Sequence, residues 1–135
     1  MRDPQARAAA AASVPDLQAM NQPMTRKDMV DILEPLIAVY GDTKTTDEWR
    51  VAWREFYETI GHLPALALLA AKQAYKAQPN AFTFPKPGPL LALAEEKRAE
   101  LARNLRWAKI IATIDPMATL DEIQAAYAAS FDQGD

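Results

Sequence analysis

Between Phe82 and Leu91 the chain reads Phe-Thr-Phe-Pro-Lys-Pro-Gly-Pro-Leu-Leu, with prolines at the alternate positions Pro85, Pro87 and Pro89. Each pyrrolidine ring fixes φ at about −65° and removes a backbone donor, so no helix or central strand is expected to run through the stretch. The residue before each proline is biased toward extended or polyproline geometry. Two aromatic rings lead into this rod and a long helical pattern leaves it. The pattern predicts a stiff connector, with Phe82 and Phe84 anchoring it to an aromatic core and the prolines setting the direction of the helix beyond.

On the N-terminal side, apolar residues recur with helical period. Thr25 is a suitable N-cap, and Met29, Ile32, Leu33, Leu36, Ile37 and Tyr40 form one amphipathic stripe. Pro35 interrupts it, which predicts either a kink, at about 3 kcal/mol, or a break into two turns. Gly41 is placed to close it. The next segment has Thr45 or Thr46 as cap and Asp47 and Glu48 in its first turn, where acidic groups meet the positive end of the helix dipole. Its inner face carries Trp49, Ala52, Trp53, Phe56, Tyr57 and Ile60. Such an aromatic stripe serves either as a core organiser or as a ligand box. Core packing is the better reading, because neighbouring helices need a surface to pack on. Pro64 then opens, at N1, a helix apolar on nearly all sides from Leu63 to Tyr75, a composition expected of a central helix.

Beyond the connector a helix is predicted from Pro89 or Leu90 to Ile114, ended by Asp115-Pro116. Leu90, Ala94, Leu101, Leu105, Ala108 and Ala112 share one arc of it. A last helix follows Thr119, with Leu120, Ile123, Tyr127 and Phe131 on one side. No segment alternates with period two. The fold class predicted is all-α, a bundle of about four to five helices with a proline-rich connector. Residues 1–23 are Ala-rich, broken by Pro4, Pro15 and Pro23, and read as a disordered tail, or else as an arm that folds on a partner. Residues 24–114 then form the bundle, and 115–135 an acidic helix that docks on it or on a partner. The structural core is assigned to Tyr40, Trp49, Trp53, Phe56, Phe84 and Pro85.

The chemistry-bearing residue types are sparse. With no cysteine and one histidine, His62, there is no thiolate, no disulfide and no credible zinc or iron ligand set. No glycine-rich phosphate loop occurs. Glu95 and Glu100 stand three residues before Arg98 and Arg103, the spacing of surface ion pairs rather than of a catalytic carboxylate pair. A protein without enzymatic activity or cofactor is expected. No apolar run reaches the roughly 18 residues of a membrane span. Met1-Arg2-Asp3-Pro4 lacks a secretory h-region, so a cytoplasmic location is expected.

Net charge is −3, unevenly spread. Residues 115–135 hold acidic groups and no Lys or Arg, whereas residues 95–109 hold five basic groups against three acidic. Arg98, Arg103, Arg106 and Lys109, with Trp107 beside them, are the candidate partner-binding residues, suited to DNA phosphates or an acidic protein face. The plainer reading is a solvated, ion-paired face. Direct nucleic-acid binding is expected to be weak for a mildly acidic protein.

The order of these elements resembles a known family. Ala38-Val39-Tyr40-Gly41 leads to Thr45-Thr46-Asp47-Glu48-Trp49, then Trp53, Phe56 and Tyr57, Leu63-Pro64-Ala65, Tyr75, and Phe84-Pro85-Lys86-Pro87 before Leu90-Leu91. Over Met24 to Leu93 this resembles the small helical domain of phage replicative-helicase loader and inhibitor proteins. The resemblance implies a non-enzymatic adaptor that binds a hexameric replicative helicase in a bacterial host cell. In that family a flexible portion beyond the helical domain engages the helicase. Here helical patterns follow the motif instead, so no helicase-contact position carries over. An alternative of similar composition is a small phage or mobile-element inhibitor of another host nucleic-acid-processing complex, anti-CRISPR-like, acting by occlusion.

Overall fold

Helix caps and prolines written into the sequence set the element boundaries. In the computed structural model, which describes residues 4–41, 43–113 and 120–132, α1 spans Pro4–Asn21, α2 Arg26–Leu33, α3 Pro35–Tyr40 and α4 Thr46–Ile60. α5 spans Ala65–Lys76, α6 Pro87–Thr113 and α7 Leu120–Asp132. Among the described residues there is no strand, and one isolated bridge pairs Pro23 with Pro64. The fold is all-α. Contacts divide the chain into two units, Met20–Ala99 and Met1–Ala19 with Glu100–Asp135, so the boundary falls inside α6.

The unit Met20–Ala99 starts both of its capped helices in the same way. At α2 the Thr25 hydroxyl accepts from the Asp28 N–H at 3.0 Å, and the Thr25 N–H faces the Asp28 carboxylate. At α4 the Glu48 N–H donates to the Thr45 hydroxyl at 3.2 Å, and the Thr45 N–H donates back to Glu48 at 3.1 Å. These reciprocal bonds satisfy donors that helix geometry leaves orphaned. At Pro35 the chain resolves the two expected outcomes as a break between α2 and α3. Glu34 keeps right-handed helical dihedrals, and Ile37 N–H reaches back only to Glu34 at 2.9 Å. Gly41 closes α3 at φ +88°, a conformation that a side chain would strain.

Met24, Met29, Leu33, Leu36, Phe56, Ile60, Leu63, Ala67, Leu68, Ala71, Leu90 and Ala94 form one buried cluster. α2 lies against both α4 and α5. Each large side chain buried there stabilises the fold by about 1.5–3 kcal/mol relative to exposure. The entry of α2 is tied to the α4–α5 turn: Met24 N–H donates to the Leu63 carbonyl at 2.9 Å, and Tyr57 Oη to the Met24 carbonyl at 3.3 Å. Arg26 lies over the Tyr57 ring, 5.2 Å from its centroid. Gly61, the buried residue ending α4, leaves no room for a Cβ, which would stand 2.5 Å from the Tyr57 carbonyl oxygen and 2.8 Å from its ring.

Two expectations for this unit are corrected. Pro64 is the N-cap of α5 rather than its first helical residue. α5 is also not central. Ala67, Leu68 and Ala71 are buried, but Leu66 and Leu69 on its other side are exposed. An alanine-rich helix looks apolar all round because Ala is neutral enough to sit on either side of a boundary.

The proline rod is shorter than its sequence implied, because α6 begins at Pro87. Pro87 and Pro89 occupy the first turn, where backbone N–H groups have no intrahelical acceptor, so their missing donors cost nothing. Gly88 between them lacks the Cβ that would collide with the following proline ring. The first bond is Leu90 N–H to the Lys86 carbonyl, at 3.4 Å.

In the unit Met1–Ala19 with Glu100–Asp135, the tail read as disordered over residues 1–23 instead forms α1. Alanine has the highest helix propensity, and Pro4 is the first described residue of the helix, in the first-turn region where proline is tolerated. Pro15 lies inside the helix and withdraws a donor from the Ala11 carbonyl, while Ser13 Oγ donates to Ala10 O at 2.7 Å. No residue of α1 is buried. Leu101, Arg106, Ala108 and Ile110 of α6 are buried. α7 meets α6 through Trp107 and Tyr127, stacked with centroids 4.4 Å apart and planes 23° apart. Ile114, Asp115-Pro116, the Thr119 cap and the Phe131 side chain lie outside the described residues.

Candidate interaction site

Four secondary-structure ends meet around the strap 81–86 that joins α5 to α6. Phe84 is clamped by rings from α4: Trp49 at 5.2 Å, Phe56 at 5.9 Å and Trp53 at 6.2 Å between centroids, all edge-on. Edge-to-face contacts at these separations place positive ring edges on negative ring faces. Pro85 is fully buried beside it. Trp49 and Trp53 stack at 5.0 Å and 27°, and the Lys44 ammonium sits over the Trp49 ring, 5.0 Å from its centroid. Tyr40 from α3 meets Tyr75 of α5 edge-on at 5.9 Å, and Tyr75 Oη donates to the Thr83 carbonyl at 2.7 Å.

Of the six residues assigned to the core, Phe56 and Pro85 are buried. Tyr40, Trp49, Trp53 and Phe84 are half-buried at its margin. Phe82 departs from expectation. It is 80% exposed and anchors nothing. The chain bends at Thr83, so residues two apart do not share a side.

The five partner-binding candidates on α6 do not form one open face. Arg98 belongs to the unit Met20–Ala99 and is half-buried, with its guanidinium forked onto Glu95, Nε to Oε2 at 3.0 Å. Those hydrogen bonds hold the Glu95 carboxyl below its ordinary value. Arg106, in the middle of the predicted arc, is buried, 8% exposed. Trp107 is half-buried under Tyr127. Arg103 and Lys109 remain exposed. Helical spacing placed Arg106 on the solvent arc, but this part of α6 has buried residues on two sides, Leu101 and Ala108 on one and Arg106 and Ile110 on the other.

Among the described residues, no group of three or more His, Cys, Asp or Glu is placed to hold a metal ion, and no helix is long and apolar enough to cross a membrane. Carboxylates occupy structural positions: Asp28 and Glu48 in capping boxes, Asp31 on Lys27 at 2.7 Å, and Asp47 on Arg50 at 3.2 Å. His62 is exposed in the α4–α5 turn. An open groove of about 620 Å³ at the α2–α3 break is lined by Asp31, Glu34, Pro35, Ile37 and Ala38. The surface groups are rings, lysines and exposed apolar side chains on a helical frame. Phe82 is the strap residue that sequence spacing misplaces, and the local cue to its exposure is the Gln78-Pro79-Asn80 turn signal just before it. Comparison with protein families, with characterised proteins and with solved structures yields no match.

Proposed function

We propose that this chain is a non-enzymatic adaptor that binds a ring-shaped replicative helicase in a bacterial cytoplasm, as a loader or an inhibitor. The observation that carries the reading is a coincidence of boundaries. The stretch that resembles the phage loader and inhibitor domain, Met24 to Leu93, falls within the contact unit Met20–Ala99. Its motif residues are also spatial neighbours: Trp49, Trp53 and Phe56 surround the Phe84 of the Phe-Pro-Lys-Pro step. Spacing in the motif is therefore spacing that a fold requires, and what links that fold to a helicase is family analogy. The structural employment of Asp28, Asp31, Asp47 and Glu48 also favours a binder over a catalyst.

The test is direct. Purified chain is mixed with the hexameric replicative helicase of phage or host at micromolar concentration, and the complex is sought by size-exclusion chromatography with light scattering. A stoichiometric complex and a changed helicase ATPase rate are expected. Separate elution at that concentration, with an unchanged ATPase rate, overturns the reading.

A further inference from the structure

Phe82 is the most exposed of the large apolar side chains among the described residues, at 80%. The other described aromatic rings are buried or half-buried. An exposed phenylalanine at a chain end would mean little. This one is held from both sides. Ala81 N–H donates to the Gln78 carbonyl at 3.3 Å and Phe82 N–H to the Asn80 carbonyl at 3.2 Å, while Tyr75 Oη holds the Thr83 carbonyl. Two residues on, Phe84 is gripped by three rings and Pro85 is fully buried. The strap thus presents one ring to solvent from a backbone held in place by hydrogen bonds. With its backbone already ordered and only two side-chain torsions to freeze, such a residue loses little entropy on binding.

Along the chain, the charge flanking it is of one sign. Residues 59–94, which cover α5, the strap and the start of α6, carry Lys72, Lys76 and Lys86 and no Asp or Glu. Lys76 and Lys86, which bracket the strap, are both exposed. We propose that Phe82 is the anchor of a protein-binding surface whose partner presents an apolar pocket rimmed by carboxylates. The identity of the test partner, a replicative helicase, rests on the function proposed above; the location and chemistry of the surface do not.

A single-stranded nucleic acid is the competing ligand for rings beside lysines, and the geometry disfavours it. Strand-binding sites line up several open rings along a cationic groove. Here Trp49 already has Trp53 stacked against it and Lys44 over its ring, and Phe84 is enclosed, so among the described residues of this unit Phe82 is the open platform. One ring with a basic rim fits a pocket that takes a single side chain, the arrangement of an interface hot spot.

The experiment titrates the intact chain and its variants into helicase and follows binding by calorimetry. Phe82→Ala is expected to weaken the complex about 10- to 30-fold with an unchanged thermal midpoint, and Phe82→Tyr to bind within about threefold of the parent. Lys76→Glu with Lys86→Glu is expected to slow association and to flatten the salt dependence. Parent-like affinity of Phe82→Ala overturns the anchor while leaving the adaptor reading intact. Should the parent chain itself not bind helicase, the adaptor reading fails and the anchor is judged separately. A photo-crosslinking benzoylphenylalanine is placed at position 82, or at the exposed control position 69, in host cells. Cross-links from 82 alone, to a segment in which apolar residues are flanked by Asp or Glu, and lost on Lys76→Glu with Lys86→Glu, support the surface; equal or absent cross-linking at the two positions, or cross-links that survive the charge reversal, overturn it. Binding of a labelled oligothymidine that Phe82→Ala abolishes would also overturn it, in favour of a nucleic acid.

Discussion

In the unit Met20–Ala99, twelve residues drawn from α2 to α6 and the segments between them bury one another in a single cluster, and α2 and α4 both begin in capping boxes. In the unit Met1–Ala19 with Glu100–Asp135, α1 buries no residue, and among the described residues the buried side chains are those of α6. The first unit is held by contacts between residues far apart in sequence. The second also joins stretches far apart in sequence but buries fewer side chains, among them those around the stack of Trp107 on Tyr127, so local helix propensity carries a larger share in α1. The difference separates two sources of helical stability. Propensity is worth tenths of a kcal/mol per residue and is set by neighbours in the chain, whereas burial is worth about 1.5–3 kcal/mol per large side chain and needs a partner surface. Amide exchange is therefore expected to be fast in α1 and slow in the buried turns of α4 and α5.

The largest effect should come from cutting the buried cluster. Leu68→Ala is expected to destabilise by about 2–5 kcal/mol in urea melts, while Leu120→Ala, at a side chain 67% exposed, should stay within about 0.5 kcal/mol. Equal losses would erase the contrast between the units. Next, Gly61→Ala forces a Cβ onto Tyr57 and disturbs its bond to the Met24 carbonyl. A loss of about 1–3 kcal/mol is expected by thermal denaturation. Tyr127→Ala removes the stack on Trp107 and should cost about 0.5–1.5 kcal/mol beyond lost area. Its readout is a change in Trp107 fluorescence, with the amide exchange of α4 and α5 unaltered.

The smallest effect concerns pH. The backbone hydrogen bond from Thr45, with its side chain second, holds the Glu48 carboxyl below its ordinary value of 4.5. A carboxyl depressed in the folded state contributes stability that is fully present above 4.5 and is lost as pH falls through the lower folded value. Glu48→Gln should flatten that part of the acid limb of a stability-against-pH curve. An unchanged acid limb would remove the capping box from the account of why α4 starts where it does.

How legible these features were depends on the distance over which they are decided. The caps at Thr25 and Thr45, the stop at Gly41 and the break at Pro35 involve atoms within four residues of each other, and each follows from residue type. The stripe Met29, Leu33 and Leu36 was equally plain, because a periodic apolar face has one stable use. α1 was misread because its prolines and thin apolar content outweighed an alanine run whose propensity favours helix. Exposed Leu66 and Leu69, buried Arg106 and exposed Phe82 could not be read at all. Spacing along one helix or strap gives the angle between two side chains, but not which neighbour covers each.

Sequence alone determined that the chain is helical, where most of its helices begin and end, and that Phe84-Pro85 belongs with the tryptophans of α4. These are local torsional and capping preferences joined to one strong apolar period. Tertiary structure decided which side of each helix is used. It turned α5 from an apparently central helix into a one-sided one, buried Arg106, half-covered Trp107 with Tyr127, and split the two phenylalanines of the strap into a clamped Phe84 and an open Phe82. Burial depends on what packs from elsewhere in the chain, and that information is held jointly by residues too far apart for any one stretch to display it.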